Sequence, residues 1–290
     1  METVASVPPA LLPGLAAIAA RYDALICDVW GVLHNGHQAR GPAVEALRRF
    51  RAAHGPVVLL TNAPRPVEEV KAQFVHYGVP EDAYDAIMTS GVAAREELSR
   101  RAQDHRLAML HIGPERDRGV FAGLAVDCVS AEVAEIALCT GLYDDDTETP
   151  EDYRALLAAM KARDIPMLCA NPDIMVQKGE TLIYCAGAIA RAYEAIGGQA
   201  LYFGKPHRPI YEAAMATLEA IAGRPIRRPL AVGDGLVTDI AGANAFGIDA
   251  LFIADGVHGE EIGDLTAASL ARLFAKVGAR AVGALPALTW

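Results

Sequence analysis

The sequence predicts a doubly wound α/β protein. Its core is a parallel sheet with helices on both faces, and a second, smaller α/β unit is inserted into it. Three observations carry this expectation. Short apolar runs recur at residues 24–29, 56–60 and 229–232, as strands buried on both faces read. Each run ends in polar or glycine-rich residues: Asp28-Val29-Trp30-Gly31, Thr61-Asn62 and Gly233-Asp234-Gly235. Helical patterns at 42–54 and 66–77 follow the first two, so the order is strand, polar tip, helix.

The elements follow in order. Residues 15–22 read as a short helix leading into the first strand. After the second strand and its helix, the middle of the chain has its own strands at 107–112, 136–140 and 166–170. An acidic loop at 143–148 and a helix at 150–163 lie between them. Asn171-Pro172-Asp173 marks a turn. A last strand at 250–253 leads into Ala254-Asp255-Gly256-Val257-His258-Gly259. The expected domains are therefore a core of residues 1–104 and 200–290 and an insert of residues 105–199. The apolar tail, 279–290, packs either on the core or on a partner.

Composition narrows the function classes. With 290 residues, 52% hydrophobic and 21% charged, the chain has the makings of a large buried core rather than a disordered chain. A net charge of −10 repels nucleic acid and anionic membrane, so neither is an expected partner. It still admits a small anionic substrate, because a metal or a local lysine reverses the sign inside a pocket. The five cysteines are scattered and form no C-x-x-C pair, which suits small buried hydrophobes in a reducing compartment. The apolar stretch 8–20 lacks the basic start of a secretory signal, since Glu2 stands there, and is too short for a span. Cytoplasmic location is the expectation.

In a doubly wound sheet, ligands bind at the carboxyl ends of the strands, so the polar tips should converge. Asp28 ends the first strand; a carboxylate there binds Mg²⁺ and attacks phosphorus if the phosphoryl charge is neutralised. Thr61 and Asn62 offer hydrogen bonds to phosphoryl oxygens. Lys205, in Gly204-Lys205-Pro206, offers a point charge. Asp234 completes an oxygen-only metal site, with Asp239 acting behind it or through water. Each motif alone is weak, and a strand-end Asp is often only a helix cap. Their joint occurrence in this order is the signal.

That order resembles the haloacid dehalogenase-like hydrolases. It comprises Asp28-Val29-Trp30-Gly31-Val32-Leu33, Leu60-Thr61-Asn62, Gly204-Lys205-Pro206 and Gly233-Asp234 with Thr238-Asp239. An insert bearing Ala170-Asn171-Pro172-Asp173 resembles that of subclass IIA, the NagD-like phosphatases. The resemblance implies a Rossmann-like core, an α/β cap, a Mg²⁺ cofactor and an aspartyl-phosphate intermediate. The implied substrates are small phosphorylated metabolites, sugar phosphates among them. It implies metal ligation by Asp28, the Trp30 carbonyl and Asp234, with Asp239 nearby, and a substrate-selecting cap loop at Asn171 and Asp173. The residues leave the oligomeric state open. Subclass relatives often dimerise through the cap, so a homodimer is one expected state.

The departure from that pattern is at Trp30. Family phosphatases carry a second aspartate there, which protonates the leaving group; such a group contributes about 10²–10⁴-fold. An indole N–H donates only and does not titrate usefully. The alternatives are therefore weak or different chemistry on the same scaffold, or a phosphometabolite-binding, regulatory protein. His34, the acidic run Asp144-Asp145-Asp146, Asp255 and His258 are weaker candidates to supply the proton or line the rim. A structural or solvated role is expected for each, and a helix-start role for His207. A buried indole would also leave a cavity on truncation.

Overall fold

The computed structural model describes residues 8–178 and 181–290; Glu2 lies outside them. Its strands are β1 (Ala24–Asp28), β2 (Val57–Thr61), β3 (Ala86–Thr89), β4 (Leu107–Ile112), β5 (Val126–Cys128), β6 (Ile136–Cys139), β7 (Met167–Cys169), β8 (Met175–Lys178), β9 (Thr181–Tyr184), β10 (Ala200–Tyr202), β11 (Pro229–Gly233), β12 (Asp249–Ile253) and β13 (Gly283–Leu285). The chain divides into two compact units. One comprises Met1–Thr61, Glu68–Met88 and Tyr211–Trp290; the other comprises Asn62–Val67 and Thr89–Ile210.

The first unit holds a six-stranded sheet in the order β13-β12-β11-β1-β2-β3. Every residue of β1, β2 and β11 is buried, which is why these strands read as unbroken apolar runs rather than alternating ones. β1 pairs in parallel with β2 on one side and β11 on the other. The chain winds outward from β1, then returns to lay β11 beside it. The β1–β11 boundary is thus the topological switch point where α/β sheets take ligands. Cys27 pairs with Val232, so Asp28 and Asp234 leave neighbouring strands at the same end. Behind β11 and β12, Phe252 meets Phe274 edge-on at 5.3 Å, in a core that includes Leu236, Ile240, Leu270 and Leu273. The apolar tail packs on this core: β13 adds in parallel to β12, and the Leu15 N–H donates to the Thr289 carbonyl at 2.8 Å.

The second unit has a five-stranded sheet in the order β10-β7-β6-β4-β5 and a two-stranded hairpin, β8-β9. The five strands are all parallel. Tyr153, Leu157, Met160, Ile165, Ile189 and Tyr193 pack against one face, and the Tyr193 hydroxyl donates to the Ile165 carbonyl at 2.7 Å. Among the described residues all five cysteines are free thiols, four of them buried. No helix there is long and apolar enough to cross a membrane.

Candidate active site

In the first unit three buried carboxylates meet at the switch point. Ligand oxygens of Asp28, Asp234 and Asp239 lie within 4.8 Å of one another, and the residues are only 7%, 2% and 5% exposed. Like charges this close in a low-dielectric setting repel strongly unless a cation sits among them. An all-oxygen set of carboxylates suits a hard ion such as Mg²⁺ rather than zinc.

Local structure explains how Asp234 is held. Its Oδ2 accepts the Val257 N–H at 2.8 Å. The α-carbons of Gly31 and Gly256 press on the same carboxylate, and a Cβ on either would overlap it. Gly31 also has φ +77°, a left-handed conformation that glycine adopts at little cost. Asp239 is held differently. Its Oδ2 accepts the Gly235 N–H at 3.0 Å and the Thr238 hydroxyl at 3.2 Å, closing the turn that opens the π-helical stretch Leu236–Ile240.

Trp30 stands where the loop after β1 turns. It is half exposed, at 50%, so it is not the buried indole whose removal leaves a cavity. Its six-membered ring lies over Gly36, where a Cβ would come within 2.6 Å of Cζ3 and Cη2. It also meets the His34 ring edge-on at 4.9 Å. His34 is 1% exposed, and burial pushes its pKa down to about 4. The neutral ring accepts the Gly36 N–H at Nδ1, 3.1 Å away. It packs against Trp30, Phe74 and Tyr77, and a ring held neutral by burial is unsuited to supplying the proton near pH 7.

The loop after β12 also serves the carboxylates, through its backbone. Val257 N–H holds Asp234, and His258 Nε2 accepts the Leu236 N–H at 3.4 Å. The Asp255 side chain is exposed, while its carbonyl accepts from Arg40 at 3.3 Å. Of the two residues weighed for the rim, only His258 thus bonds to the segment that carries Asp239. Thr61, 5% exposed, ends β2 in this unit.

The second unit gathers the remaining motif residues. Asn62 Oδ1 accepts the Lys205 N–H at 2.7 Å, and its Nδ2 donates to the Lys205 carbonyl at 3.1 Å and to Asp173 Oδ1 at 2.9 Å. Asn171 Oδ1 accepts the Asp173 N–H at 3.0 Å. Asn62 thus clamps the Lys205 backbone and ties it to the turn after β7. Lys205 is 4% exposed. His207 stacks on Tyr202 at 4.4 Å, immediately before the helix Arg208–Ala222. Within the acidic run Asp144 and Asp146 are exposed, as expected of a solvated loop, while Asp145 pairs with Arg116, with only 11% of its side chain exposed. Next to it is a group the sequence did not flag, Asp117. It is 2% exposed, and burial raises its pKa to about 6.

Comparison with known proteins assigns the family. The profile of the haloacid dehalogenase-like hydrolases matches residues 25–126, and a HAD-like hydrolase profile matches residues 202–276. A hydrolase of the haloacid dehalogenase-like family from Brucella suis 1330 superposes with TM-score 0.81 and 46% identity, over 96% of this chain and 100% of that one. This chain belongs to the haloacid dehalogenase-like hydrolases. Its relatives include the ribonucleotide monophosphatase NagD of Escherichia coli, 27% identical over 80% of this chain and 88% of that protein. They also include the D-glycerol 3-phosphate phosphatase of Mycobacterium tuberculosis, 28% identical over 84% of this chain. The match spans 66% of that protein's length. Within this haloacid dehalogenase-like family the neighbours fall in the NagD-like subclass IIA. A glycerol phosphate phosphatase from Mycobacterium tuberculosis, solved with magnesium, has TM-score 0.66 and 25% identity over 86% of this chain and 74% of that one. Mg²⁺ is the cofactor that both this relative and the carboxylate set indicate.

Proposed function

We propose that the chain is a Mg²⁺-dependent phosphatase of small phosphate monoesters, working through an aspartyl-phosphate on Asp28. The observation that supports this reading most is the buried trio Asp28, Asp234 and Asp239 at the switch point of the core sheet. The relatives named as NagD and as a glycerol 3-phosphate phosphatase support the ester class.

When bound, Mg²⁺ neutralises phosphoryl charge and polarises the phosphorus. Asp28, the Trp30 carbonyl and Asp234 are the ligands, and Asp239 orients the loop behind them. An Asp28 oxygen attacks phosphorus, and the bond from phosphorus to the ester oxygen breaks, with its electron pair leaving on that oxygen. Water then attacks the aspartyl-phosphate, releasing phosphate and restoring the carboxylate. Thr61 donates to the phosphoryl oxygens through its hydroxyl and Asn62 through its backbone N–H, because both hydrogens of its side-chain amide are taken by Asp173 and the Lys205 carbonyl; Lys205 adds positive charge. Asn171 and Asp173 act on substrate choice, and Asp173 also braces Asn62, and through it the Lys205 backbone.

Trp30 sets the kind of ester. With no carboxylate at that position and His34 held neutral by burial, the leaving group departs without an adjacent acid. The enzyme therefore favours leaving groups of low pKa over sugar alkoxides. The same residue favours a second reading, a phosphometabolite-binding protein with little turnover. A panel of phosphate esters spanning leaving-group pKa, assayed with and without Mg²⁺, separates the two. Mg²⁺-dependent hydrolysis with a steep fall as leaving-group pKa rises supports the phosphatase. Mg²⁺-dependent binding without hydrolysis of any ester overturns it.

A further inference from the structure

Each of the three loops that build the metal site ends its polar work with an exposed apolar side chain. On the loop after β1 it is Trp30, at 50%; on the turn after β11, Val237, at 58%; on the loop after β12, Val257, at 78%. Two of them are next in sequence to glycines that touch the same carboxylate. Gly31, next to Trp30, and Gly256, next to Val257, both press their α-carbons on Asp234, and the Val257 N–H donates to it. A site built for a polyol ester needs hydroxyl-binding donors and acceptors around its carboxylates. Here the loops that hold those carboxylates carry three exposed apolar side chains, alongside the exposed Asp255.

Of the three, Trp30 is a fixed surface. Gly36, at φ +83°, lets the backbone lie directly beneath the six-membered ring, and His34 abuts its edge. The indole is thus pinned from two sides, and half of its surface stays open. It stands two residues from Asp28, a span of at most about 7 Å between α-carbons. A group esterified to a phosphorus at Asp28 is within its reach. Open, rigid indole surface binds flat π-systems by offset stacking, over more contact area than a branched polyol can match.

We propose that Trp30 is a specificity-determining platform, and that the substrates are aryl or heteroaryl phosphates whose ring stacks on the indole. The inference rests on the phosphatase reading for the placement of the phosphoryl group at Asp28. It agrees with that reading's demand for weakly basic leaving groups, because phenolic oxygens are far less basic than alkoxides. Val237 and Val257 add exposed apolar surface on the other two loops.

The test uses phosphonates, which cannot be hydrolysed. Calorimetric titration of the full chain with Mg²⁺ present compares phenylphosphonate with methylphosphonate. Phenylphosphonate should bind about three- to tenfold more tightly, the range that one aromatic pair supplies. Trp30→Phe should keep that ratio and Trp30→Ala should bring it close to one. Trp30 and Trp290 are the two tryptophans, so Trp290→Phe leaves Trp30 as the reporter. Its fluorescence should change with phenylphosphonate and not with methylphosphonate, which tests the platform even if Trp30→Ala fails to fold. A ratio near one in the native chain, no binding of either phosphonate, or an unchanged ratio in folded Trp30→Ala overturns the proposal. Failure of the phosphatase reading is distinguishable: a chain that hydrolyses no ester yet shows the ratio and its dependence on Trp30 keeps the platform and loses the chemistry.

Discussion

Replacing Gly31 by alanine should damage the metal site out of proportion to the methyl group added. Two costs act together. The backbone is left-handed, with φ +77°, which costs an L-residue about 1–2 kcal/mol. The new Cβ also overlaps the Asp234 carboxylate, which must shift from its place in the trio. Two other glycines separate these costs. Gly78 has the same φ of +77° with nothing within 4 Å of an added Cβ, so Gly78→Ala should show the backbone penalty alone. Gly256 presses on the same carboxylate without a left-handed φ, so Gly256→Ala should show the steric cost alone. Disorienting a ligand in this way typically costs about 10–100-fold in metal affinity. Calorimetry should therefore show weakened Mg²⁺ binding in Gly31→Ala and Gly256→Ala but not in Gly78→Ala. Urea denaturation without metal should show Gly31→Ala and Gly78→Ala destabilised by at least the backbone penalty. Native Mg²⁺ affinity in both Gly31→Ala and Gly256→Ala would refute the claim that these glycines position Asp234.

Other outcomes follow from the same geometry. Trp30→Asp should flatten the dependence of rate on leaving-group pKa and raise activity on alkyl phosphates; because the indole is half exposed, loss of stability should fall well short of the ~3–5 kcal/mol of a buried tryptophan. Asp173→Ala should lower turnover of every ester alike, since Asp173 holds Asn62 and Asn62 holds Lys205. A change confined to KM for bulky esters would leave Asp173 with substrate choice alone. For His34, burial lowers the pKa from 6.5 to about 4, so the unfolded chain binds the proton first as pH falls. Its contribution, at most about 3 kcal/mol, is complete above pH 6.5 and is lost as pH falls from there towards 4. Denaturant titrations across that window should show the slope in native protein and a shallower one in His34→Gln.

The parts that were legible in the sequence share one property: their pattern is local. β1, β2, β4 and β11 are apolar runs bounded by turn residues, and the expected ends fall within a residue or so of the observed strands. β5 and β13 were not legible. Val126-Asp127-Cys128 is short and largely exposed, and Gly283-Ala284-Leu285 has no strand pattern of its own; the partner strand makes each of them. The fate of the tail was open for the same reason, because β13 exists through its pairing with β12. At the site, the acidic residues stood out by their place at strand tips. What holds them did not. No motif announces that Gly256 and the Val257 N–H grip Asp234, or that Asn62 bonds to both backbone groups of Lys205. Those contacts join residues far apart in sequence, and most are made by the backbone, which carries no residue signature. His34 shows the converse. Its residue type suggests proton transfer, and only its burial among Trp30, Phe74 and Tyr77 shows why it stays neutral.

The central claim is that Asp28 carries the phosphoryl group, and acid-quench labelling tests it most directly. The full chain is mixed with Mg²⁺ and a ³²P-labelled aryl phosphate, quenched in acid within the first turnovers, digested and mapped by mass spectrometry. The account predicts label on the Asp28 carboxylate, dependent on Mg²⁺ and absent from Asp28→Asn. Hydrolysis of the ester that proceeds with full activity in Asp28→Asn, or label found on any other residue, would contradict it.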